Sequence, residues 1–121
     1  MASVLVVDDA NFMRRKIKEI LEKAGHKVVA EANDGSKAIN SYKAYKPDIV
    51  TMDISMPNDD GLYALEEIIK YDSKAKIVMI SSMQHKITVV NAIKRGARSY
   101  ILKPFSEEKI IRTINDVLSL E

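Results

Sequence analysis

The chain reads as an α/β protein with a parallel β-sheet between layers of helices. Three observations predict this. Short, wholly apolar runs recur, such as Val4–Val7 and Ile77–Ile80, as expected of strands buried on both faces. Between them, apolar residues fall at helical spacing. The two patterns alternate five times, with no internal linker, repeat or low-complexity stretch, and such alternation gives parallel strands.

Ser3–Val7 is the first strand, ended by Asp8 and Asp9. Met13, Ile17, Ile20, Leu21 and Ala24 mark a helix over 11–24, and Gly25 stands where a helix ends in a left-handed residue. The second strand, 26–32, centres on Val28, Val29 and Ala30. The turn Asn33-Asp34-Gly35 can cap a helix over 36–45, which turns Ala38, Ile39 and Tyr42 inward and stops before Pro47. Ile49–Met52 is a short apolar run that ends on a carboxylate, Asp53. Met56 to Gly61 is a loop, and Leu62, Leu65, Ile68 and Ile69 define the third helix. Ile77–Ile80 runs into Ser81 and Ser82. A fourth helix covers 86–95 and stops at Gly96. Ser99–Leu102 runs into Lys103 and Pro104. Ile110, Ile111, Ile114, Val117 and Leu118 form the last helix, with Ser106 as N-cap and Glu107 and Glu108 in its first turn.

The bulk properties narrow the function. The 121 residues suit one domain spanning 1–121, and 46% hydrophobic with 30% charged residues is a globular composition. A net charge of +2, from 19 basic and 17 acidic residues, does not point to nucleic acid or an acidic membrane. The basic cluster of Arg14, Arg15, Lys16 and Lys18 reads as a solvated helix face. Without cysteine there are no disulfides, thiol nucleophiles or thiolate metal sites. His26 and His85 lie far apart and in no zinc-ligand spacing. No apolar run is long enough to span a bilayer, and no leader pattern opens the chain, so the expected location is cytoplasmic.

In a parallel sheet flanked by helices, every strand-to-helix loop opens at one edge, and ligands sit there. The residues at that edge are Asp8 and Asp9, Asp53, Ser81 and Lys103. Taken singly, each has a bland reading: a cap, a turn residue, a surface lysine. Together they suit phosphoryl transfer. Carboxylates ~5 Å apart repel by roughly 3 kcal/mol per pair at an effective dielectric of ~20, so a cation must balance them. An all-oxygen set favours Mg²⁺, with Mn²⁺ as a substitute. A lysine and a serine hydroxyl can neutralise phosphoryl oxygens, and Asp53 can attack phosphorus.

These residues resemble a known family. Val6–Asp9, Met52–Pro57 followed by Asp60 and Gly61, Ile80 with Ser81, and Lys103–Phe105 are similar to the motifs of the receiver domain of two-component response regulators. The resemblance covers Ser3 to about Leu120, and Asp8–Arg14 with Asp48–Asp53 is most similar to single-domain chemotaxis regulators. It implies a doubly wound, flavodoxin-like three-layer sandwich with strand order 2-1-3-4-5. It implies that Asp53 takes a phosphoryl group from a sensor histidine kinase. Asp9, Asp53 and the backbone carbonyl of Ser55 would hold Mg²⁺, with Asp8 acting through water. Lys103 would contact the phosphoryl group, and its bond to Pro104 would be cis. Ser81 would turn toward that group and Tyr100 would swing inward, remodelling the face of the fourth helix, fifth strand and fifth helix for a downstream protein. A flagellar switch protein is the expected target, a phosphatase a further partner, and the chain's only catalysis its own phosphorylation and dephosphorylation.

Ser82 stands where the family usually has alanine, and Ser55 and Met83 occupy positions that tune phosphoryl lifetime. Val89, Ile93, Tyr100 and Leu102, rimmed by Lys86, are the expected docking patch. Two alternatives remain: a phosphorelay or transcriptional receiver domain, and an aspartyl-phosphate phosphohydrolase. The latter normally places an Asp where this chain has Ser55, and carries a cap domain.

Overall fold

The computed structural model describes residues 2–82 and 86–120; the expectations for Met83 and His85 therefore fall outside the described residues. The elements run β1 (Ser3–Val7), α1 (Asn11–Lys23), β2 (Lys27–Ala32), α2 (Gly35–Tyr45), β3 (Ile49–Asp53), a 3₁₀ turn (Pro57–Asp59), α3 (Asp60–Tyr71), β4 (Ile77–Ser82), α4 (Lys86–Lys94), β5 (Ser99–Lys103) and α5 (Glu107–Leu118). All strand pairs are parallel, in the order β2-β1-β3-β4-β5. This is the expected flavodoxin-like arrangement.

Strand periodicity divides the core into two layers. Leu5, Val7, Val50, Met52, Ile77 and Met79 face α2, α3 and α4. Val4, Val6, Ile49, Val78, Ile80 and Ile101 face Ile17, Ile20 and Leu21 of α1 and Ile110, Ile114 and Val117 of α5. Most of these side chains are fully buried, each worth about 1.5–3 kcal/mol of transfer free energy. Central strands are thus buried on both faces and read as near-continuous apolar runs, with Thr51 of β3 the buried polar exception before Asp53.

Helix boundaries follow local chemistry. Asp34 caps α2 by accepting the Lys37 N–H (2.8 Å), and Ser106 caps α5 through the Lys109 N–H (3.0 Å). After α1, Gly25 is left-handed (φ 93°); after α4, Gly96 is too (φ 117°). α2 ends without a glycine: Lys46 itself takes φ 45°, and Pro47 prevents continuation. The Lys103–Pro104 bond is cis, as expected. On α1, Arg14 and Lys18 pair with Glu31 of β2, at 3.4 Å and 3.8 Å, and Lys16 lies over the Phe105 ring, while Arg15 and Lys16 stay exposed on the solvated face of the helix. Among the described residues, no helix is long and apolar enough to cross a membrane.

Candidate functional site

The strand order reverses between β1 and β3, and both strands end in carboxylates there. Asp8 follows Val7, whose register partner on β3 is Met52, so Asp8 and Asp53 are neighbours at the sheet edge. Carboxylate oxygens of Asp8, Asp9 and Asp53 lie within 4.8 Å of one another. Asp8 and Asp53 are buried, whereas Asp9 is exposed. Lys103, at the end of β5, brings its Nζ to 3.6 Å from Asp53 Oδ1 and 3.8 Å from Asp8 Oδ2. These are ion-pair distances, beyond hydrogen-bonding range.

The residues around Asp53 are specific in their direction. The N–H and hydroxyl of Ser55 both donate to Asp53 Oδ1, at 3.0 and 2.7 Å. The Ala10 N–H donates to Asp8 Oδ1 (2.9 Å). Asp8 Oδ2 is buried and accepts no hydrogen bond. Burial pushes the Asp8 carboxyl up from 3.8 to about 6; the Ala10 N–H opposes that shift, and the nearby Asp53 charge adds to it. The N-cap of α1 is Ala10, with no side-chain cap, so neither Asp8 nor Asp9 serves as the cap that a bland reading would assign.

This site fits a hard divalent cation. Three carboxylates face a single lysine among the described residues, all donors are oxygen, and one buried oxygen accepts no hydrogen bond. Asp9, exposed beside two buried acids, leaves the site open to solvent.

Ser81 lies in β4 at the same edge and is fully buried, but its hydroxyl donates to the Ser82 carbonyl (2.9 Å), not toward Asp53. Tyr100 points outward and is 45% exposed. It borders an apolar groove of about 590 Å³ on the α4–β5 side, together with Leu102, Ile93, Ile87 and Val90, with Lys86 and Lys94 at the rim. Val89 lines this groove as expected, at its floor, where it also packs against the core and is only 5% exposed.

Three features escaped sequence reasoning. The Ser55 hydroxyl bonds Asp53 directly. Arg14 Nη1 donates to the Asp8 carbonyl (2.6 Å), fixing the backbone that carries the acid. Gly61 lets α3 approach β3: a Cβ there would stand 2.4 Å from the Asp53 carbonyl oxygen. A glycine in the first turn of a helix is the signal that could have revealed this last contact.

Comparison with known proteins agrees with this geometry. The response regulator receiver domain model matches residues 4–115. The chain is 48% identical to the chemotaxis protein CheY of Bacillus subtilis, over 96% of this chain and 97% of that protein. It is equally identical, 48%, to CheY of Thermotoga maritima, over 94% of this chain and 95% of that one. Among solved structures, the CheX–CheY–BeF₃–Mg²⁺ complex of Borrelia burgdorferi has a chain that superposes with a TM-score of 0.91 at 32% identity, covering 98% of this chain and 90% of that one. With the parallel 2-1-3-4-5 sheet and the acidic edge at its switch point, these matches establish that the chain belongs to the response regulator receiver family, as a CheY-like member.

Proposed function

We propose that residues 1–121 form one receiver domain, a phosphorylation-controlled binding switch whose acceptor is Asp53. The observation that carries this reading is the convergence of Asp8, Asp9 and Asp53 within 4.8 Å, with the Lys103 ammonium 3.6 Å from Asp53 Oδ1. A carboxylate oxygen of Asp53 attacks phosphorus, the P–N bond to the kinase histidine breaks, and its electron pair returns to the imidazole. Asp9, Asp53 and the Ser55 carbonyl would hold Mg²⁺, with Asp8 acting through water. The ion neutralises phosphoryl oxygens when bound. Lys103 supplies fixed positive charge beside the acceptor, 3.6 Å from Asp53 Oδ1. The Ser55 N–H and hydroxyl orient Oδ1. Asp8 would take part as a carboxylate, and a nearby cation would favour that charged form against the burial that raises its pKa.

Ser81 and Tyr100 transmit the new charge. For this, the Ser81 hydroxyl exchanges the Ser82 carbonyl for a phosphoryl oxygen. Tyr100 leaves its exposed position and alters the groove with Leu102 and Ile93. The output is protein binding at the α4–β5–α5 face, in a chemotaxis or flagellar-motor pathway, with a sensor histidine kinase upstream. The Borrelia complex, in which a CheY is held with CheX, BeF₃ and Mg²⁺, supports a partner of the phosphorylated form. Cytoplasmic placement follows from such partners.

The test is intact mass after incubation with acetyl phosphate, with and without Mg²⁺. The expected result is a Mg²⁺-dependent, acid-stable and base-labile adduct on wild type and none on Asp53→Asn. An adduct of equal yield on Asp53→Asn would refute the assignment, and steady turnover of a phosphomonoester would indicate a phosphohydrolase instead.

A further inference from the structure

Asp60 and Gly61 belong to the family motif but have no part in the chemistry above. Asp60 opens α3, and its Oδ2 accepts the N–H of Gly35, the first residue of α2, at 2.9 Å. The approach is close: a Cβ on Gly35 would stand 3.0 Å from the Asp60 carbonyl oxygen and 3.1 Å from its Oδ1. On the other side, Gly61 lies against the Asp53–Ile54 peptide, where a Cβ would come within 2.4 Å of the Asp53 carbonyl oxygen. The first turn of α3 is therefore held between the first turn of α2, through the Asp60 carboxylate, and the backbone of Asp53, through Gly61. One carboxylate sits at two helix N-termini, where both macrodipoles favour negative charge. Just before it, Asn58 and Asp59 take left-handed conformations (φ 60° and 55°), which cost energy and persist only if the segment is anchored at its ends.

We propose that Asp60 is a positioning residue for the acceptor site: by tying α3 to α2 it presses Gly61 onto the Asp53–Ile54 peptide and fixes the loop that carries Ser55. This rests on the phosphoacceptor reading of Asp53. It differs from a plain capping role, in which Asp60 contributes stability alone. Gly35→Ala separates the two. Its added methyl meets the Asp60 carbonyl oxygen at 3.0 Å and Oδ1 at 3.1 Å, so it pushes Asp60 away while leaving the Asp60 side chain itself intact.

The experiment compares wild type, Asp60→Ala, Asp60→Asn and Gly35→Ala. Each is assayed for Mg²⁺-dependent labelling by acetyl phosphate and for Mg²⁺ affinity by calorimetry, at a temperature where circular dichroism shows the variant folded. Asp60→Ala is expected to label about tenfold more slowly, since sub-ångström misplacement of an acceptor costs that order of rate. Asp60→Asn recovers most of the rate, because its amide oxygen can accept the same N–H. Gly35→Ala labels several-fold more slowly and binds Mg²⁺ more weakly at a temperature where it is fully folded. Wild-type labelling and Mg²⁺ affinity in Gly35→Ala and Asp60→Ala, with only Tm lowered, would overturn the proposal. If Asp60→Ala does not fold, Gly35→Ala decides. If wild type itself is not labelled, the acceptor reading fails, and the Mg²⁺ affinities alone judge Asp60: weaker binding in both variants sustains its hold on the site, and unchanged binding ends it.

Discussion

Asp8 carries the site's clearest electrostatic signature, a buried oxygen without a hydrogen bond and a carboxyl raised to about 6. Its folded value lies above its unfolded value, 3.8, so the native state holds the extra proton between these pH values. Stability contributed by protonated Asp8 is present below about pH 4 and is lost as pH rises through 6. In the cation-free protein, Asp8→Asn should therefore be more stable than wild type at pH 7.5, by on the order of 1–3 kcal/mol, and the gap should close toward pH 4. Urea unfolding in EDTA across this range measures it; a gap independent of pH would exclude Asp8 as the cause. Asp8, Asp9, Asp53 and Lys103 were legible in the sequence because each ends an apolar run, where a charge needs a partner. The Ser55 hydroxyl and the Gly61 approach were not, since both depend on how the loop after β3 folds back.

At the scale of elements, the chain declares its strands and its glycine helix stops openly. α4 is the exception. Ile87, Val89, Val90 and Ile93 crowd its sequence, so apolar residues cover more than one face and periodicity does not say which turns inward. The structure buries Val89 to 5% and leaves Ile87 80% exposed. Val89→Ala should accordingly cost about 1–3 kcal/mol, whereas Ile87→Ala should stay within about 0.5 kcal/mol. Denaturant midpoints of the two variants check this ordering, and its reversal would mean that α4 is rotated. Likewise, α2 ends at a left-handed lysine, a stop that a search for glycine misses.

For the whole molecule, the strand order matters most. No local pattern encodes 2-1-3-4-5; it came from the family resemblance, and the parallel pairing of β1 with β3 is what brings Asp8 beside Asp53. A ligand that binds only this assembled edge must stabilise the fold as a unit. Mg²⁺ at a hundredfold excess over its Kd should add about 2.7 kcal/mol. Asp9→Ala, which removes one of three mutually repelling carboxylates, should abolish that increment and raise the Mg²⁺-free Tm. Calorimetric scans over a Mg²⁺ series measure both. A wild-type Tm that ignores Mg²⁺ would remove the cation from the account.

The central claim is that phosphorus is carried by one residue, Asp53. Borohydride reduction of the labelled protein, followed by peptide sequencing by mass spectrometry, tests it most directly, because reduction converts only an acyl-phosphorylated aspartate to homoserine. The account predicts homoserine at position 53 alone, and only when Mg²⁺ was present. Homoserine at Asp8, Asp9 or Asp60, or at no position in a labelled sample, would contradict it.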